Sequence, residues 1–163
     1  MNAHSKDRKT FLLSENDKLL GELIYETPFY LKAEIKMSDT ETYKLAPVGF
    51  FGTSVSVTKD GNKIASLSMS WNGKIIITFQ DDREYALKLS RLFQSKMILE
   101  NKNQQNVLQF EPKFSWRDFY CKYDITYDST NDKEPKDSLL LLLGVYAANY
   151  FIATISGANA GLM

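Results

Sequence analysis

Two hydrophobic periods divide this chain. Through most of its length, apolar and polar residues alternate. Leu31, Ala33, Ile35 and Met37 fall on one face of an extended segment. So do Leu67, Met69 and Trp71; Ile75, Ile77 and Phe79; Tyr85, Leu87 and Leu89; and Phe119, Cys121, Tyr123, Ile125 and Tyr127. Period two predicts antiparallel sheet with one face in a core and the other in water. Near the C-terminus the alternation stops. Leu139 to Leu143 are consecutive leucines, and no charged residue occurs from Leu139 to Ala160. A helix there would be apolar on every side, so protein or lipid must surround it completely.

Turn signals cut the first part into short pieces. Strands are predicted at 10–14, 18–26, 29–37, 42–46, 51–58, 63–71, 74–80, 84–90, 96–100, 107–111 and 119–127. Asp60-Gly61 and Asn72-Gly73 predict type I′ hairpin turns, because both dipeptides supply positive φ. Asp81-Asp82 and the polar run from Asn101 to Asn106 mark further turns. Residues 129–137 read as a polar linker. Pro135 and Asp137 suit a helix start, one by its fixed φ and the other by its charge at the positive end of the dipole. The expected organisation is a flexible arm over 1–9, then one domain over 10–163 with a central helix at about 136–157.

Barrel geometry connects the two periods. About eleven or twelve tilted strands close at a backbone diameter of about 24 Å. Inward side chains take about 5–6 Å from each wall, which leaves a hole one helix wide. The expected fold is therefore mainly β: a closed antiparallel barrel of about twelve strands around the hydrophobic C-terminal helix.

Charge and chemistry narrow the function. The 20 Lys and Arg balance the 20 Asp and Glu, which gives no support for nucleic-acid binding through a broad basic surface. Cys121 is the single cysteine and His4 the single histidine, so neither a disulfide framework nor a histidine-based triad or metal site is expected. Cys121 reads as a small core residue rather than a nucleophile. No phosphate-cradling glycine motif is present. Residues 1–10 are polar and lack a signal-peptide core, so the expected location is cytoplasmic, with association at a membrane surface open. Phe50-Phe51, and Phe114 with Trp116, read as core or barrel rim. Gly144 and Ala148, then Ala153 and Gly157, are small residues at helical spacing; they suit close approach by strand side chains or by another helix. Asn149 needs a hydrogen-bond partner in either surrounding.

The order of elements resembles the tubby-like C-terminal superfamily, and within it the LURP-one-related and phospholipid-scramblase-like branch. The resemblance spans about residues 19–155. It rests on the strand–turn–strand from Gly52 to Ile64, on the segment from Trp116 to Asp124, and on Asp137 followed by Ser138 and the leucine run. It implies a twelve-stranded barrel threaded by its C-terminal helix. No cysteine-rich acylation segment, acidic calcium loop or phosphoinositide-binding lysine–arginine pair of that superfamily is matched, so no functional residue carries over.

The expected function is a non-enzymatic binding or scaffold module, with anionic phospholipid or another protein as partner and no cofactor. Candidate anion- or lipid-binding residues are Lys88, Arg91, Lys113, Arg117 and Lys122, if their strands gather on one side. Two alternatives remain at this point. One is a tail-anchored membrane protein with a cytoplasmic β-domain. The other is a lipocalin-like barrel with an empty, ligand-binding interior.

Overall fold

A computed structural model describes residues 1–26, 31–49, 54–90, 95–115, 120–128 and 136–155. Twelve strands form a closed antiparallel barrel around one helix. The strands are β1 (Asn2–Ser5), β2 (Thr10–Glu15), β3 (Lys18–Tyr25), β4 (Ala33–Ser38), β5 (Glu41–Val48), β6 (Ser54–Lys59), β7 (Asn62–Met69), β8 (Ile75–Phe79), β9 (Glu84–Leu89), β10 (Met97–Asn101), β11 (Asn106–Ser115) and β12 (Tyr120–Tyr127). Each pairs with its neighbours in sequence, and β1 pairs with β12 to close the ring. Helix α1 (Ser138–Ile155) follows.

The N-terminal segment corrects the sequence reading. The expected arm contains β1, with Ala3 fully buried opposite Tyr123 on one side and Leu13 on the other. Four residues are too few to show a period in sequence. They become a strand because β2 and β12 would otherwise leave two open edges. Two predicted strand ends also move. The reading stopped at Ala46 and Glu111, each just before a proline, yet β5 and β11 run through Pro47 and Pro112. Each proline lies beyond the ladder on one side. The β4 ladder with β5 ends at Leu45, and the β10 ladder with β11 ends at Phe110. A missing N–H is tolerated where a strand has lost one neighbour.

The helix fills the barrel. Leu140, Leu141, Leu142, Leu143, Val145, Tyr146, Ala147 and Ala148 are each at most 3% exposed. Burial of consecutive residues means that every helix face meets protein. Small residues allow the close approach: a Cβ on Gly144 would lie 2.3 Å from Phe110 Cζ of β11, and one on Gly21 would lie 2.8 Å from Leu142 Cδ1. The space left between α1 and β6, β7 and β8 is only about 10 Å³. The interior is thus core rather than a ligand chamber, which overturns the lipocalin-like alternative. The strands likewise cover the helix that the tail-anchor alternative would place in lipid. Among the described residues, no helix is long and apolar enough to cross a membrane.

Polar contacts fix the helix at its start and in its middle. Asp137 Oδ1 accepts from the Leu139 N–H at 2.9 Å, capping the first turn. Its Oδ2 accepts from Arg83 Nη1 at 3.2 Å, tying the cap to the β8–β9 turn. Deep inside, Tyr123 Oη donates to Asn149 Oδ1 at 2.7 Å, and Asn149 Nδ2 donates to Tyr25 Oη at 3.0 Å. Tyr146 stacks on Tyr25 and donates to the Leu31 carbonyl at 2.8 Å. Asn149 thereby sets the depth and rotation of α1.

Candidate functional site

An up-and-down barrel has two ends, and here they differ in chemistry. The helix enters beside the β8–β9 turn, where Arg83 meets Asp137. It leaves beside the β7–β8 turn, where Phe151 and Thr154 share a groove with Met69, Lys74 and Leu89. Strand direction assigns every connection to one end. Those following even-numbered strands lie at the entry end, and those following odd-numbered strands lie at the exit end.

The entry-end turns that join two strands are short and acidic. They carry Asp17, Asp39, Asp60, Asp81 and Asp82 against Arg83 and Lys102. Asp60 and Gly61 both have positive φ, as the sequence predicts for a type I′ turn. The described exit-end connections carry Lys6, Arg8, Lys9, Lys32, Lys74 and Lys96 against Asp7 and Glu26. Apolar exposure follows the same axis. Among the described residues, the exposed large apolar side chains are Leu19, Val48, Trp71, Leu89, Phe114 and Tyr120. All but Leu19 lie at the exit end.

Trp71 is 100% exposed and is a second correction. Its alternation with Leu67 and Met69 predicted an inward side chain. The strand ends at Met69, however, and the Gly73 N–H donates to the Ser70 carbonyl at 3.0 Å to form a turn. Only Gly73 of the Asn72-Gly73 pair has positive φ, so this turn is not the expected type I′. The longer connection places the indole at its tip. Leu89 and Phe114 are 40% and 49% exposed; their inward parity makes them rim residues of the barrel mouth. Phe50, Phe51 and Trp116 lie outside the described residues.

Of the predicted basic residues, the three described ones, Lys88, Lys113 and Lys122, do not form one patch. Lys113 and Lys122 are cross-strand partners, and both bind Asp124, at 2.5 and 3.3 Å. The hydrogen bond from Lys113 holds the Asp124 carboxyl below the ordinary carboxylate range. Lys88 lies on β9, in the row of Ile98 and Gln109. Gln109 precedes Lys113 by four residues, so Lys88 is separated from that pair by about 13 Å along the strands. Arg91 and Arg117 lie outside the described residues.

Lys88 joins a cluster that the sequence reading missed. Glu100 of β10 points outward yet its side chain is only 4% exposed, because Lys74 and Lys88 cover it. Lys74 Nζ lies 2.9 Å from Oε1, and Lys88 Nζ bonds Oε2. Burial pushes the Glu100 carboxyl up, but the two ammonium groups outweigh it and hold the group below its ordinary value. Lys74 ends the β7–β8 turn, Lys88 lies on β9 and Glu100 on β10, so no local spacing links them and only the strand pairing reveals the cluster. The two lysines border a groove of about 440 Å³ that runs over the rim to Met69, Leu89 and Phe151.

Cys121 is half-buried, and burial pushes its thiol up to about 11, which leaves very little thiolate at neutral pH. Among the described residues, no group of three or more His, Cys, Asp or Glu is placed to hold a metal ion.

The chain matches no family model, no curated protein and no solved structure.

Proposed function

We propose that this chain is a non-enzymatic module that docks on anionic phospholipid surfaces through the exit end of its barrel. The carrying observation is the shared polarity of two independent properties. Exposed large apolar side chains and basic turn residues collect at one end, while acidic turns occupy the other. Trp71 at a turn tip, beside Lys74, suits a membrane interface, where an indole sits at headgroup level and a lysine meets phosphate. Each basic residue near an anionic surface contributes about 1 kcal/mol, and aromatic insertion adds apolar burial. The acidic end is repelled by the same surface, so the polarity also orients the barrel.

The resemblance to the LURP-one-related and scramblase-like branch of the tubby-like superfamily supports a phospholipid partner and belongs to the same proposal. Sedimentation with vesicles tests it. Binding is expected with phosphatidylglycerol vesicles, but not with pure phosphatidylcholine. It should weaken between low and physiological salt, because screening acts over about 8–10 Å. Equal, poor binding to both vesicle types at low salt would leave a protein partner as the surviving reading.

A further inference from the structure

We infer that the groove bounded by Lys74, Lys88, Leu89 and Phe151 binds one anionic phospholipid molecule. Its phosphate would lie against the two ammonium groups and its first methylenes against Met69, Leu89 and Phe151. This rests on the docking reading and adds a discrete site to it.

Three features carry the inference. First, the charge is built rather than scattered. Glu100 holds Lys74 and Lys88 together from beneath, and each lysine keeps about a third of its side chain in solvent. An ammonium group has three donors. The contact with Glu100 engages one from each lysine, so donors remain on both to meet an oxyanion. Second, two ammonium groups over one carboxylate leave a net single positive charge. That complements a singly charged phosphodiester. A choline headgroup would instead bring a third cation into the cluster, so the site disfavours zwitterionic lipid. Third, polar and apolar walls meet in the order a lipid requires. Lys74 and Lys88 lie on the outer face, whereas Met69 and Leu89 have inward parity and Phe151 belongs to α1. The groove therefore crosses the rim from charged exterior to apolar mouth. Its volume of about 440 Å³ accommodates a phosphate and the start of a chain.

The test uses monomeric dihexanoyl phosphatidylglycerol, dihexanoyl phosphatidylcholine and inorganic phosphate, titrated into ¹⁵N-labelled full-length protein. Saturable amide shifts at Gly73, Lys74, Lys88 and Leu89 are expected with phosphatidylglycerol. Binding should weaken about tenfold or more in Lys74→Gln/Lys88→Gln, because each basic contact contributes about 1 kcal/mol. Lys113→Gln/Lys122→Gln removes the same charge elsewhere and should leave this binding unchanged; its spectrum also serves as a fold control. Equal weakening by both double variants would overturn the site in favour of diffuse charge. Inorganic phosphate binding as tightly as the short-chain lipid would overturn the lipid assignment. Vesicle binding by the wild type that persists without any monomer binding would also overturn the site, while leaving the docking reading intact. Absence of vesicle binding would instead remove that reading.

Discussion

Gly144→Ala should destabilise this protein, although the change normally stabilises a helix. Alanine gains about 0.5–1 kcal/mol over glycine in a helix interior. Here the new Cβ would lie 2.3 Å from Phe110 Cζ and 3.1 Å from both ring Cε atoms. Ordinary carbon contacts lie near 3.5–4.0 Å, so the ring or the helix must move by more than about 1 Å. Phe110 is fully buried, with Met97 and Ile125 as its cross-strand neighbours. Overpacking of this kind costs about 1–3 kcal/mol, which exceeds the helix gain. The expected net loss is about 1–2 kcal/mol, read as a lower urea midpoint with unchanged slope. Phe110→Leu supplies the control. In that background the ring is gone, and Gly144→Ala should become neutral or stabilising, giving a coupling of about 1–2 kcal/mol. A Gly144→Ala protein that is more stable than wild type would refute the packing of α1 against β11.

Other expectations follow from the same contacts. Asn149→Ala removes the hydrogen bonds to Tyr25 and Tyr123 and should cost about 2–3 kcal/mol in denaturant melts, against almost nothing for the exposed Thr154→Ala. Deleting residues 137–163 should leave a molten or aggregated chain without a near-UV signal; a monomer that unfolds cooperatively would show the helix to be dispensable. Cys121 should react slowly with thiol reagents at neutral pH and rapidly on unfolding, because burial raises its thiol. Glu100 and Asp124 have lowered carboxyl values, so their stabilisation is complete above the ordinary carboxylate range near pH 4 and is lost as the pH falls through their lowered values. Melting temperatures should therefore change little from pH 7 to 5 and drop in stronger acid, with a shallower drop in Glu100→Gln.

Much of the barrel was legible because its signals are local. Alternation at Ile75, Ile77 and Phe79, or at Tyr85, Leu87 and Leu89, needs only a few residues. The uncharged leucine run declares a surrounded helix. What escaped the reading depends on neighbours distant in sequence. Asn2–Ser5 is a strand because β2 and β12 flank it. Pro47 and Pro112 stay in strands because one adjacent ladder has ended. Trp71 shares the inward parity of Leu67 and Met69 in sequence, but the turn begins after Met69. The Lys74–Lys88–Glu100 cluster is assembled by the register of β8, β9 and β10. Lys113 and Lys122 are likewise brought together only by the pairing of β11 with β12, which also gives them Asp124 as a shared partner.

The orientation of the barrel at a membrane offers the most direct test of the account. An environment-sensitive fluorophore can be attached at Asn72→Cys, at the exit end, or at Asp39→Cys, at the entry end, both in a Cys121→Ala background. Both positions are exposed turn residues. With phosphatidylglycerol vesicles at low salt, the account predicts a blue-shifted, brighter signal at position 72 and an unchanged signal at position 39. Phosphatidylcholine vesicles should change neither. A shift at position 39 with none at position 72, or equal shifts at both, would contradict docking through the exit end.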